Sequence, residues 1–174
     1  MVAGSEKIRL PWLACAAVMM FVASPIAAET TVRVGDLMFA YDGDRWRGIH
    51  ISPDRIEFQP IGPRGEDRRR ALVAREKMDS HDACQVAASN LLSPELYETP
   101  VAGAATKLGG LGAIIFSAHT RCRNATPAGV VICAVHKGFA YGVGTRQIGC
   151  RDGSAPFSGQ EWLGEFVKGA TFTP

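Results

Sequence analysis

Two histidines and two cysteines stand in mirror order in the second half of the chain, His119-x-x-Cys122 followed by Cys133-x-x-His136. Imidazole and thiolate are the ligands of tetrahedral zinc, so the quartet has the composition of a metal site. Its spacing argues otherwise. Between the cysteines lies Thr126-Pro127-Ala128-Gly129, with proline and glycine where a type I turn favours them. Strand-like segments flank it, Ala113-Ile114-Ile115-Phe116 before and Val130-Val131-Ile132-Cys133 after. A turn centred between Pro127 and Ala128 sets Cys122 opposite Cys133 and His119 opposite His136. Side chains alternate faces along a strand, so a spacing of three puts each histidine on the other side of the sheet from its cysteine. The pattern predicts a Cys122–Cys133 disulfide and no metal or other cofactor. It leaves an under-ligated pair, His119 and His136, with Arg121 and Arg123 beside them as binding candidates.

The remaining cysteines follow from the N-terminus. Lys7 and Arg9 precede a charge-free run from Leu10 to Ala28, and Ser24-Pro25-Ile26-Ala27-Ala28 ends it with small residues suited to a signal peptidase. Residues 1–28 therefore read as a secretory signal cleaved after Ala28. Pro11 and Pro25 argue against a retained membrane span, and Cys15 lies too early in the apolar run to be lipidated. Cleavage leaves 174 − 28 = 146 residues, read as one domain, 29–174, and an even set of cysteines: Cys84, Cys122, Cys133 and Cys150. In an oxidising compartment these form two disulfides, and Cys122–Cys133 leaves Cys84–Cys150. Asn124-Ala125-Thr126 is a formal glycosylation acceptor at the same predicted hairpin tip.

Other arrangements that could do chemistry fail on spacing. Lys107-Leu108-Gly109-Gly110-Leu111-Gly112 lacks the glycine pattern of a phosphate loop and reads as a strand entrance. Asp42-Gly43-Asp44 is a hairpin turn rather than a calcium loop. Cys84 near His81 at a helix start has the setting of an activated thiol, but a free Cys84 would strand Cys150 as a second thiol. The charge left after cleavage, 19 − 2 = 17 basic against 17 − 1 = 16 acidic residues, gives no case for nucleic acid. Arg68-Arg69-Arg70, with Arg64 and Arg75, is interleaved with Glu66, Asp67 and Glu76 and reads as a self-compensated surface.

The elements that must position these residues are strands and two helices. A strand is predicted over about 31–41, with Asp42-Gly43 turning it so that Phe39 faces Trp46. The next runs from Arg45 to Ser52 and turns at Pro53-Asp54 into Arg55–Ile61, matching Ile49 to Phe58; a bulge at Gly48 would bring Trp46, Ile49 and Ile51 to one face. A polar loop over 63–70 and a short strand over 70–75 precede a helix from about Asp82 to Leu92. Residues 100–105 read as loop before a β-rich half from Lys107 to Cys150, turned at Lys137-Gly138, with a last strand near 139–148. A helix over 160–168 presents Trp162, Leu163 and Phe166 along one face, and Gly169 ends it. The fold class is α+β, an antiparallel sheet of about six strands in two halves with two helices, stapled by two disulfides. The leading functional reading is a small exported, periplasmic or secreted binding or accessory protein whose partner is another envelope or extracellular protein. The competing reading is a periplasmic enzyme or metal-handling protein using His119 and His136.

Overall fold

Alternating apolar positions build most of the molecule into antiparallel sheet. In a computed structural model, residues 29–61, 69–78, 82–122, 129–147 and 159–174 are described, leaving aside the side chains of 69, 147, 159–162 and 165. The predicted signal 1–28, Arg123, Asn124 and Cys150 lie outside them. Among the described residues there are ten strands, β1 (Glu29–Val34), β2 (Leu37–Asp42), β3 (Trp46–Ser52), β4 (Arg55–Pro60), β5 (Arg69–Lys77), β6 (Val101–Leu108), β7 (Leu111–Ala118), β8 (Gly129–His136), β9 (Phe139–Gln147) and β10 (Thr171–Phe172). Two helices join them, α1 (Ala83–Leu92) and α2 (Gly159–Lys168).

The strands form two sheets rather than one sheet of six. The larger has the order β3-β4-β5-β9-β8-β7-β6 and the smaller β1-β2-β10. Every pairing is antiparallel, and the β6–β9 meander docks β9 against β5 after α1 carries the chain across. Successive side chains of β5 point to opposite faces, and both faces are covered. Ala71 and Val73 join the core shared with the small sheet and α2, whereas Leu72 and Ala74 pack under α1. The large sheet is thus the middle layer of three.

Several expectations need correction. The predicted strand 31–41 is itself a hairpin, because Gly35 at φ 58° and Asp36 turn the chain and set Val34 opposite Leu37. Strand β2 then pairs with β1 and β10, not with β3, so Phe39 and Trp46 are not strand partners. They meet instead through α2, with Phe166 4.9 Å from Trp46 and 6.3 Å from Phe39 between ring centroids. The irregularity in the β3–β4 pair falls between His50 and Ser52 rather than at Gly48, and Ile51 is left 57% exposed. Residues 101–105, taken as loop, open β6, and Gly109-Gly110 turn it into β7 with both φ values positive. The Lys137-Gly138 turn, α1 and the end of α2 lie where the sequence put them.

The β7–β8 register is displaced from the predicted one. Ala118 faces Gly129 and Ile114 faces Cys133, so residues 119–128 all lie between the strands. Outside ties draw the chain away from a tight turn: Tyr97 bridges Thr120, and the Arg121 amide donates to the Leu96 carbonyl at 2.8 Å. Cys133 faces α1 from the sheet and is bonded to Cys84, with the two α-carbons 5.6 Å apart. This overturns the Cys122–Cys133 pairing and with it Cys84–Cys150. The Cys84–Cys133 disulfide fastens the first turn of α1 to the middle of the large sheet. Cys122 is also disulfide-bonded.

Candidate functional site

The densest gathering of titratable side chains among the described residues lies where the small sheet meets the β8–β9 hairpin. The turn between β1 and β2 brings Asp36 to this seam. Its carboxylate is approached by three cationic or basic groups: Arg33 Nη2 at 3.6 Å, Lys137 Nζ at 3.8 Å and His136 Nε2 at 3.9 Å. Arg33 and Lys137 are at least half exposed, so their pairs are solvent-screened and weak. His136 is mostly buried, its ring centroid 4.8 Å from that of Phe172. Its Nε2 is buried and lacks a hydrogen-bond partner, since 3.9 Å to Asp36 is beyond bonding range.

Below Asp36 the seam is closed by Tyr141 and Arg75. Tyr141 is fully buried, and its Oη accepts a hydrogen bond from the Asp36 main-chain N–H at 3.2 Å. The Arg75 guanidinium lies near that oxygen, both within 3 Å of where a Cβ on Gly35 would stand, and its Nε donates to Asp54 on the β3–β4 turn. The Asp54 carboxylate, opposed by burial and aided by Tyr141, holds Arg75 above the ordinary guanidinium range. Arg75 also lies over the Phe139 ring at 4.8 Å. A Cβ at Gly35 would come within 2.6 Å of Arg75 Cδ and 2.9 Å of Tyr141 Oη, so only glycine lets the turn approach this closely. Chemically, the cluster is a tie between two sheets: one carboxylate against three basic groups, with a phenol oxygen receiving a main-chain donor and a guanidinium beside it.

The predicted binding residues are not brought together. His136 sits in this seam at the end of β8, and His119 is exposed just past β7, beside Gly129 at the other end of β8. Seven residue steps separate those ends, about 23 Å of strand. Arg121 is exposed, and its Nε donates to the Tyr97 carbonyl at 3.0 Å, away from His136. No group of three or more His, Cys, Asp or Glu that could hold a metal ion occurs among the described residues. Asp36, Arg75 and Tyr141 were missed from the sequence, although Gly35-Asp36 is a turn dipeptide that could have flagged the seam.

The three-layer arrangement has a counterpart among solved structures. The fold is similar to that of cyanobacterial PsbP. The solution structure of that protein, CyanoP from Synechocystis sp. PCC 6803, superposes with a TM-score of 0.55. The match covers 92% of this chain and 98% of that one at 11% identity, a likeness of fold. No family model and no curated protein sequence matches the chain. No helix among the described residues is long and apolar enough to cross a membrane. The Cys84–Cys133 disulfide fits a protein of an oxidising, extracytoplasmic compartment.

Proposed function

We propose that this chain is a small exported, non-enzymatic accessory or binding protein, matured by removal of residues 1–28 and acting through its surface on another envelope or extracellular protein. The observation that carries this reading is the seam itself. Asp36, Tyr141, Arg75 and Asp54 are engaged with one another or with the main chain there, the phenol oxygen of Tyr141 accepting from the Asp36 N–H and Arg75 Nε donating to Asp54, while His136 packs on Phe172. Groups so placed hold layers together rather than aim at a substrate. The charge-free leader, the Cys84–Cys133 disulfide and the PsbP-like fold support the exported setting. The competing reading, metal handling by His119 and His136, is weakened by their positions at opposite ends of β8.

The test is site-specific photo-crosslinking in the native host, with the probe placed in turn at Ile51, Val101 and His119, all exposed and on different parts of the molecule. One discrete adduct from the extracytoplasmic fraction, obtained at one position and not the others, is the expected result. Absence of an adduct at all three positions would contradict a protein-binding role.

A further inference from the structure

Cys122 is disulfide-bonded, and the cysteines of the chain narrow its partner to two. There are five in the sequence: Cys15, Cys84, Cys122, Cys133 and Cys150. Cys84 and Cys133 are bonded to each other, which leaves Cys15 or Cys150 for Cys122. Cys15 lies in the leader whose removal is proposed above. On that reading, on which the assignment rests, the mature chain from Glu29 offers Cys150 alone.

Strand topology brings the flanks of Cys122 and Cys150 together. Ala118, the last residue of β7, faces Gly129, the first of β8, and Val130 of β8 faces Thr145 of β9. Strands β7 and β9, which ends at Gln147, therefore leave the sheet at the same end, with β8 between them. Two strand spacings separate them there, about 10 Å. Cys122 follows Ala118 by four residues and Cys150 follows Gln147 by three. Three extended residues alone reach about 10 Å, so the two flanks can close to the roughly 5.5 Å between α-carbons that a disulfide requires. The approach to Cys122 is also held in place. The Arg121 amide donates to the Leu96 carbonyl at 2.8 Å, and the Cys122 amide donates to Thr120 Oγ1 at 3.2 Å.

We propose that Cys122 is bonded to Cys150, closing the open end of the β8–β9 hairpin. The whole hairpin, from Gly129 to Gln147, lies between these two cysteines in the sequence, and Cys133 within it is bonded to α1. One bond shuts the mouth of the hairpin while the other pins its middle to the helix. In forming the new bond each thiol gives up one proton and one electron. The two electrons pass to the disulfide of a thiol–disulfide oxidant of the compartment, which becomes a dithiol.

The experiment is alkylation of the purified, oxidised protein with iodoacetamide under denaturing, non-reducing conditions, followed by proteolysis and mass mapping at acid pH. A peptide linking Cys122 to Cys150 is expected, with neither residue alkylated. In Cys150→Ser, one alkylated thiol per molecule appears, at Cys122, and the Cys84–Cys133 peptide is unchanged, whereas Cys15→Ser leaves the map as in the parent. Should Cys150→Ser fail to fold, the parent map decides the matter. Alkylated Cys122 or Cys150 in the parent, or a peptide linking either to another cysteine, overturns the proposal. The intact mass of the same sample separates this from the export reading. A chain beginning at Met1 that carries the Cys122–Cys150 peptide contradicts removal of the leader and keeps the bond, and a chain beginning at Glu29 with both residues alkylated does the reverse.

Discussion

Gly35 shows how closely one residue type is bound to the seam. Its φ of 58° favours glycine, and an added Cβ would meet Arg75 and Tyr141 at less than 3 Å. Gly35→Ala is expected to destabilise the protein by about 2 kcal/mol, measured by denaturant unfolding, with the strain and the displaced Arg75 both contributing. A variant as stable as the parent would show that the turn does not press on Arg75. At this scale the sequence was only partly legible. His136 was singled out for its mirror relation to His119, yet its actual neighbours are Asp36 and Phe172, which lie about 100 residues before it and 36 after. Such neighbours are set by how two sheets stack, and no local spacing encodes that.

Among the elements, α1 is the one most firmly fastened. Ala83, Ala87, Ala88, Leu91 and Leu92 bury its inner face, and Cys84 ties its first turn to Cys133 of β8 across 49 residues of sequence. Closing a loop of that length is worth about 4 kcal/mol in the chain-entropy account. The double variant Cys84→Ser, Cys133→Ser is therefore expected to lose about 2–4 kcal/mol, read from unfolding of oxidised protein, whereas reducing agent should leave the variant's own Cys84-to-Cys133 contribution unchanged because it has none. A loss below about 1 kcal/mol would contradict the stapling role of this bond. The helix was readable from its apolar spacing, and so was the β8–β9 hairpin from Lys137-Gly138. The cysteine pairing was not, because it followed from an assumed turn at Pro127-Ala128. Thr120 and Arg121 are held against residues 96 and 97, and β7 and β8 pair in a register that differs from the one that turn implies, which re-pairs every residue along both strands.

For the whole molecule, the decisive contact is the one that presses the small sheet and α2 onto the large sheet. Phe166 lies fully buried at its centre, with Phe58 at 5.0 Å and Trp46 at 4.9 Å between ring centroids. Phe166→Ala is expected to cost about 3–5 kcal/mol by thermal unfolding, and a cost under about 1 kcal/mol would mean that α2 does not hold the layers together. The α+β class was legible from the alternation of strands with two helical stretches. The division into sheets of seven and three is not, because the alternation over 31–41 runs straight across Gly35-Asp36 and residues 101–105 of β6 read as loop. Export of this three-layer, disulfide-stapled chain, as proposed above, can be tested directly. The most direct test is the intact mass of the protein from the extracytoplasmic fraction, combined with a non-reducing peptide map. A chain beginning at Glu29 with a peptide linking Cys84 to Cys133 is the predicted result. A full-length chain from Met1 confined to the cytoplasm, with Cys84 and Cys133 as free thiols, would contradict it.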